Sequence, residues 1–122
     1  KILRQDPETT AYTLMTRQQP GWVDRRLEAH DTWEELFLLQ GDYLMGTTGI
    51  INGGAYIFRP PTRPHGPQAT HKGAVWFCRG EKEIDFQYSN IDWAQGQVEK
   101  YFEYMSEQKS DIAAPWGDWW GE

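Results

Sequence analysis

Short stretches in which apolar and polar residues alternate run along most of the chain, separated by glycine and proline. Alternation with a period of two is typical of β-strands that bury one face. The stretches that predict strands span residues 10–16, 21–30, 33–40, 42–46, 54–60, 73–80 and 83–88. Because they are short and turn signals recur between them, the pattern predicts an all-β barrel or sandwich.

The periodicity becomes helical near the end of the chain. The apolar side chains that recur there at helical spacing are Trp93, Val98, Tyr101, Phe102 and Met105. This stripe predicts an α-helix over about residues 91–107. We expect the helix to pack against the barrel, and binding of a partner protein is the alternative. Residues 113–122 carry three tryptophans among glycines, so we expect this tail to fold back on the barrel or to lie in an interface.

The composition indicates one globular domain that covers residues 1–122. Hydrophobic residues make up 39% of the chain and charged residues 25%, which allows one hydrophobic core. The formal net charge of -6 argues against nucleic acid or an anionic membrane as a partner. No apolar stretch approaches the roughly 18 residues that span a bilayer. A chain that begins at Lys1 rather than methionine is compatible with excision from a longer protein.

The single cysteine, Cys78, cannot form an internal disulfide bond. It lies in the apolar stretch AVWFCRG, so we expect it to be a buried filler rather than a nucleophile. One cysteine fits a reducing compartment, and the expected location is the cytoplasm.

Four side chains near predicted strand ends are candidate metal ligands. Glu28 and His30 are two residues apart on an extended strand, so both point to one face. Glu34 begins the next strand, and His65 comes from the end of a distant one. Imidazole and carboxylate groups together suit divalent iron, manganese, nickel or zinc. Side chains of these types could therefore hold a metal ion here, and His71 is the alternative histidine.

The segment EAHDTWEELFLLQG, residues 28–41, resembles the first motif of the cupin superfamily. That motif has two histidines one residue apart, a glutamate three or four residues later and a glycine after six more. His30 matches the second histidine, Glu34 follows after three residues, and Gly41 follows after six more. Glu28 replaces the first histidine.

A second segment, from Gly54 to His65, resembles the second cupin motif. The spacing of Gly54, Pro60 and His65 matches the glycine, proline and histidine of that motif. Thr62 replaces the glycine expected two residues after the proline, and Ala69 replaces the asparagine that some cupins have after the histidine. Among cupins, this segment is most similar to the uncharacterised ChrR-type branch.

The resemblance implies an RmlC-like, cupin-type jelly-roll β-barrel, which the predicted C-terminal α-helix follows. Inside the barrel it implies a divalent metal ion held by His30, Glu34 and His65, with Glu28 as a fourth ligand. It implies a small-molecule enzyme of the dioxygenase type or of the lyase or isomerase type. The alternative is a non-catalytic module of a larger protein that senses a ligand or a metal. A further alternative is a metal-free cupin half that stabilises a partner. The resemblance also implies a homodimer or pairing with a second cupin domain.

Three further side chains are candidates for substrate binding. Arg26 shares the strand face of Glu28 and could bind an anionic group, with neutralisation of Glu28 or Asp24 as the alternative. Arg59, beside the second motif, is either a pocket arginine or a rim charge. Tyr56 could line the barrel interior, although alternation alone does not settle which face it takes. The sequence assigns no catalytic residue.

Overall fold

The computed structural model describes residues 1–90 and 95–108 of the chain. The predicted helix start at 91–94 and the tryptophan-rich tail at 113–122 lie outside them. The strands within the described residues are β1 (Ile2–Gln5), β2 (Tyr12–Gln18), β3 (Val23–Asp24), β4 (Leu27–Ala29), β5 (Glu34–Met45), β6 (Gly49–Asn52), β7 (Tyr56–Arg59), β8 (Gln68–Ala69), β9 (Ala74–Gly80) and β10 (Gln87–Ser89). The helix, α1, spans Gln95–Glu107.

Strand β5 is the central strand of the fold because four other strands pair with it. Its first part lies antiparallel between β7 and β9, and its last residues pair with β6 and β8. Strands β2 and β1 extend the sheet beyond β9, and β3 pairs with β8. Strands β4 and β10 form a separate two-stranded sheet. This arrangement confirms the predicted all-β, jelly-roll fold with a C-terminal helix.

Gly41 allows β5 to change partners part-way along its length. Its φ of +98° lies in a region that residues with a side chain rarely adopt. A Cβ atom at this position would also lie 1.9 Å from the carbonyl oxygen of Gly73. Both constraints require glycine here, so the last residue of the first motif has a structural role.

Alternation along β5 decides which of its side chains enter the barrel. Glu34, Leu36 and Leu38 are buried, whereas Phe37 and Leu39 are exposed on the outer side. Side chains from β2 and β9 complete the same core. The buried residues of this core are Tyr12, Leu36, Leu38, Tyr43, Ala74, Trp76 and Cys78.

The thiol of Cys78 belongs to this core. Cys78 is buried and forms no disulfide bond. Burial raises the pKa of the thiol to about 12. The reactive thiolate is therefore scarce at neutral pH, which agrees with a buried filler rather than a nucleophile.

Helix α1 packs against a second apolar cluster. Val98, Tyr101 and Met105 are buried against Leu44 of β5 and Ala69 of β8. These three residues belong to the apolar stripe that predicted a C-terminal helix packed on the barrel. No helix within the described residues has the length and apolarity that crossing a membrane requires.

A buried carboxylate connects this helix to the barrel. Asp42 is fully buried and accepts hydrogen bonds from the backbone N–H groups of His71 at 2.8 Å and Lys72 at 2.9 Å. The hydroxyl of Tyr101 donates to the same carboxylate. Burial and the contact with Asp42 raise the pKa of the Tyr101 hydroxyl above its usual value, which keeps it a donor.

The strand boundaries differ from those predicted in several places. Strands β1 and β8 were not predicted, and the stretch predicted at 83–88 is a strand only in β10, Gln87–Ser89. Residues 21–30 form β3 and β4 rather than one strand, because the Asp24 carboxylate accepts from the Arg26 N–H at 3.0 Å and turns the chain. Residues 33–46 hold the single strand β5, since neighbouring strands supply hydrogen-bond partners to both of its parts. Residues 47–53, which lie between two predicted strands, contain β6.

We expect Tyr101→Phe to lower the free energy of unfolding by about 1–3 kcal/mol, because buried Asp42 loses a donor. Tyr104→Phe is the matched control on the exposed side of the same helix and should change stability by less than about 0.5 kcal/mol. Urea unfolding followed by circular dichroism measures both values. Equal losses in the two variants would contradict this role for Asp42.

Candidate metal centre

Two backbone hydrogen bonds bring the two motifs together. The N–H of Glu28 donates to the carbonyl of His65 at 2.8 Å, and the N–H of His65 donates to the carbonyl of Glu28 at 2.8 Å. Residues paired in this way hold their side chains next to each other. Glu28 and His65 are therefore neighbours although 37 positions separate them along the chain.

His30 follows β4 and is almost completely buried. Its Nδ1 lies 2.8 Å from the carbonyl oxygen of Thr32, which can only accept a hydrogen bond, so Nδ1 carries the proton. The other nitrogen, Nε2, then presents a lone pair, and it has no hydrogen-bond partner among the described residues. A histidine that ligates a metal ion is held in this way, with one nitrogen donating to a carbonyl.

His65 has a similar arrangement. Its Nδ1 lies 3.1 Å from the carbonyl oxygen of Arg63, and its Nε2 lies 2.9 Å from Glu28 Oε1. When Nδ1 donates to that carbonyl, Nε2 and an ionised Glu28 carboxylate turn lone pairs towards each other. A positive ion between them, either a proton or a metal cation, makes this contact favourable.

Glu28, His30 and His65 form a cluster whose ligand atoms all lie within 4.8 Å of one another. The unpartnered Nε2 of His30 faces this cluster and gives a metal ion a nitrogen ligand without displacing another contact. Two imidazoles and a carboxylate fit the divalent ions of iron, manganese, nickel and zinc. The donor set therefore fits the metal ion that the motifs imply.

The carboxylate of Glu34 faces the cluster and is shared with an arginine. Its Oε2 lies 3.6 Å from His30 Nε2 and 3.4 Å from Arg59 Nη1. Strand pairing explains the second contact, because Glu34 of β5 lies directly opposite Arg59 of β7. Arg59 Nη1 also lies 3.7 Å from Glu28 Oε1. The buried guanidinium of Arg59 therefore compensates the charge of both carboxylates.

A cavity of about 470 Å³ adjoins the cluster inside the barrel. Glu28, Glu34 and Arg59 contribute to its polar wall. Its apolar and aromatic wall includes Leu14, Trp22, Leu36, Tyr43, Trp76 and Phe86. The volume and the mostly apolar wall suit a small organic molecule.

A chain of hydrogen bonds runs along this cavity from Trp76 to Arg59. Trp76 Nε1 donates to Gln18 Oε1 at 2.9 Å, and Gln18 Nε2 donates to the Tyr43 hydroxyl at 3.1 Å. The Tyr43 hydroxyl donates to Gln68 Oε1 at 3.1 Å. Arg59 Nη2 donates to the same Gln68 oxygen at 2.8 Å. The polar groups of the cavity are thus connected to the side chain that compensates the two carboxylates.

Tyr12 places a hydroxyl next to Glu34 on the cavity wall. Burial, together with the negative charge of Glu34, raises the pKa of the Tyr12 hydroxyl above its usual value. The hydroxyl therefore stays protonated beside the Glu34 carboxylate.

The structure brings the four predicted ligands to one place. Glu28, His30 and His65 form the cluster, and Glu34 lies beside it. His71, the alternative ligand, lies elsewhere, with its backbone N–H bound to the carboxylate that connects helix α1. The cluster therefore contains residues of both predicted cupin motifs and does not include His71.

Among the three residues predicted to bind substrate, the structure places Arg59 on the cavity wall and the other two outside it. Arg26 is exposed, bound to Asp24 at 2.9 Å, and stacked on the Tyr88 ring at 3.8 Å. This pairing corresponds to the alternative given for Arg26, neutralisation of Asp24. Tyr56 is exposed on the outer side of β7, because alternation turns it away from the face that holds Arg59.

Sequence reasoning missed the side chains that form most of the polar cavity wall. Tyr12 and Gln18 share the phase of Leu14 along β2, so alternation could have indicated that they face inward. Gln68 lies in a strand of only two residues, which carries no readable alternation. Tyr43 follows a bulge in β5 that shifts the phase of the strand.

The sequence matches the family model described as a ChrR Cupin-like domain over residues 1–83. This match includes both motifs and the cluster of Glu28, His30 and His65. It confirms the predicted resemblance to cupins of the ChrR type. No curated protein matches the sequence.

Several solved structures share the fold. The acetylacetone dioxygenase of Acinetobacter johnsonii has a TM-score of 0.61 and 19% identity, with 80% of this chain and 72% of that chain covered. The polyketide cyclase RemF of Streptomyces resistomycificus has a TM-score of 0.55 and 14% identity, with 79% and 72% covered. A cupin 2 conserved barrel domain protein from Rhodopseudomonas palustris has a TM-score of 0.55 and 18% identity, with 87% and 75% covered. At these identities the likeness shows the fold alone.

We expect Arg59→Gln to lower the free energy of unfolding by about 3–5 kcal/mol, because Glu28 and Glu34 lose their shared buried cation. Arg79→Gln is the matched control, since its ion pair with Glu35 at 3.6 Å lies at the surface. That control should lose less than about 1 kcal/mol. Chemical denaturation measures both, and equal stability of the two variants would rule out charge compensation by Arg59.

Proposed function

The chain belongs to the ChrR cupin-like family, and from this premise we propose that it is a metal-dependent enzyme acting on a small molecule inside the barrel. A divalent metal ion would be held by Glu28, His30 and His65, with Glu34 as a further carboxylate ligand. Iron or manganese suits this mixed set of imidazole and carboxylate groups, and zinc and nickel are the other candidates. The reaction would be that of a dioxygenase, or of a lyase or isomerase.

The observation that carries the proposal is the convergence of three ligand atoms within 4.8 Å around a histidine nitrogen without a partner. Leaving a buried nitrogen lone pair without a partner costs free energy, and a bound metal ion removes that cost. The two imidazoles and one carboxylate also match the ligand types of non-haem iron oxygenases.

Other groups of the chain would hold this site in its working geometry. The carbonyl of Thr32 orients the His30 ring, and that of Arg63 orients the His65 ring. Arg59 reduces the repulsion between the carboxylates. When bound, a divalent ion supplies a Lewis acid that polarises a substrate oxygen. The apolar cavity wall would keep water away from that oxygen and so strengthen the polarisation.

The cavity supports a small organic substrate. Its volume of about 470 Å³ lies within the roughly 300–1,000 Å³ typical of small-molecule sites. One protein of the same fold is an acetylacetone dioxygenase. Oxygenation of a small compound that carries oxygen atoms is therefore the first reaction to test.

A ligand-sensing module without turnover is the second candidate. The cavity favours it over a module that senses a metal alone, because a metal sensor needs no space of about 470 Å³ beside its site. A catalytic module and a ligand-sensing module share the cavity and differ in turnover.

The homodimer, the second cupin domain and the cytoplasmic location remain predictions.

We expect the purified protein to bind a divalent metal ion in stoichiometric amount, and His30→Ala and His65→Ala each to lose most of it. His71→Ala is the matched control, because this histidine lies outside the cluster, and it should retain the metal. Mass spectrometry of the dialysed proteins measures metal per chain. Full metal content in both cluster variants would contradict the proposed site.

We expect the iron-loaded protein to consume dioxygen in the presence of acetylacetone, and His65→Ala to reduce this rate to background, because it removes a ligand. An oxygen electrode measures the uptake, and His71→Ala again serves as the control. Saturable binding of acetylacetone without oxygen uptake would count against oxygenase chemistry and favour the ligand-sensing module.

A further inference from the structure

The hydrogen-bonded chain from Trp76 to Arg59 has only one chemically allowed direction. The indole N–H of Trp76 and the guanidinium of Arg59, at its two ends, can donate but not accept. Trp76 donates to Gln18 Oε1, so the amide nitrogen of Gln18 faces Tyr43. Tyr43 accepts from this nitrogen and turns its own proton to Gln68 Oε1. The orientation of the Gln68 amide is therefore imposed by its neighbours.

In this direction of the chain, the side-chain oxygen of Gln68 accepts two hydrogen bonds and has no further acceptor capacity. Its Oε1 accepts from Tyr43 at 3.1 Å and from Arg59 at 2.8 Å, and a carbonyl oxygen has two lone pairs. The amide therefore offers a ligand only its N–H groups. Gln68 is 4% exposed and lines the cavity, so an acceptor on a ligand would find a desolvated donor there.

The carboxylates of the same cavity are already engaged with positive charge. In the zinc-loaded protein Glu28 would be a ligand of the metal ion, and Glu34 Oε2 lies 3.4 Å from Arg59 Nη1. A donor group on a ligand would have to compete with the metal ion and with this guanidinium. An oxygen atom on a ligand can instead accept directly from Gln68.

Resting on the small-molecule function proposed above, we propose that Gln68 determines substrate specificity by donating a hydrogen bond to a carbonyl or enolate oxygen. The rest of the substrate would be apolar, because Trp22, Trp76 and Leu36 line the same cavity. Molecules whose only polar group is a donor bind less tightly, since their N–H groups would face the N–H groups of Gln68.

The test compares two neutral probes of similar size on the zinc-loaded protein. Acetophenone carries a ketone that only accepts hydrogen bonds, and indole carries an N–H that only donates. We expect acetophenone to bind about three- to ten-fold more tightly, the effect of one neutral hydrogen bond. Isothermal titration calorimetry measures both dissociation constants. Equal affinity, tighter binding of indole, or no binding of acetophenone overturns the proposal.

Variants at the same position test the role of the amide group. Gln68→Met removes the donors at similar volume and should abolish the preference for acetophenone. Gln68→Glu replaces the amide nitrogen by a second oxygen and should reverse it. Gln40→Met, at an exposed position of β5, is the matched control and should keep the preference. A preference that survives in both Gln68 variants overturns the proposal.

A further measurement uses the unaltered protein, so it does not depend on whether a variant folds. The assigned side-chain N–H signals of Gln68 in the ¹H–¹⁵N spectrum should shift when acetophenone saturates the protein, and unchanged signals overturn the proposal. Metal content of the same samples separates this result from the proposed function. If the unaltered protein binds metal but shows no preference for acetophenone, only the role of Gln68 is refuted, whereas an unaltered protein that binds no metal refutes the metal site.

Discussion

The interior of this barrel depends on the ion pairs that the buried guanidinium of Arg59 forms with two carboxylates. The guanidinium lies 3.4 Å from Glu34 and 3.7 Å from Glu28, and it donates to Gln68 at 2.8 Å. Two carboxylates that face one cavity would repel each other, and removing each from water without a partner costs several kcal/mol by order-of-magnitude estimates. One cation therefore offsets both charges and orients the amide that faces the cavity. Arg59 therefore both compensates the charge of the two carboxylates and positions the polar wall of the cavity.

The polar groups of the interior fall into two regions with opposite preferences. Beside His30 and His65, two carboxylates and one guanidinium leave a net negative charge, which favours a cation next to the imidazole lone pairs. Along the hydrogen-bonded chain, Gln68 is left with N–H donors, which favour an oxygen acceptor. A small molecule with an oxygen atom can satisfy the second region while a metal ion satisfies the first. This combination is the reason for proposing a substrate or ligand rather than a metal alone.

Whether a sequence-based prediction agrees with the structure depends on how many residues along the chain it required. Glu28 and His30 could be placed on one face because the period of a strand needs only two residues to show it. An inward position of Arg26, one of its two predicted alternatives, rested on the same period and on one continuous strand, which the turn at Asp24 interrupts. The face of Tyr56 depended on the phase of a four-residue strand, and a shift of one residue reverses every side chain.

The sequence by itself determined the all-β class, the C-terminal helix and the identity of the metal-binding candidates, because periodicity and motif spacing are properties of neighbouring residues. Only the tertiary structure decided that Arg59 would lie opposite Glu34, since that contact depends on the register of β7 against β5. It also decided that Gln18 and Gln68 would join one hydrogen-bonded chain across β2 and β8. Strands become neighbours through packing between distant segments, and no local pattern of apolar and polar residues specifies that pairing.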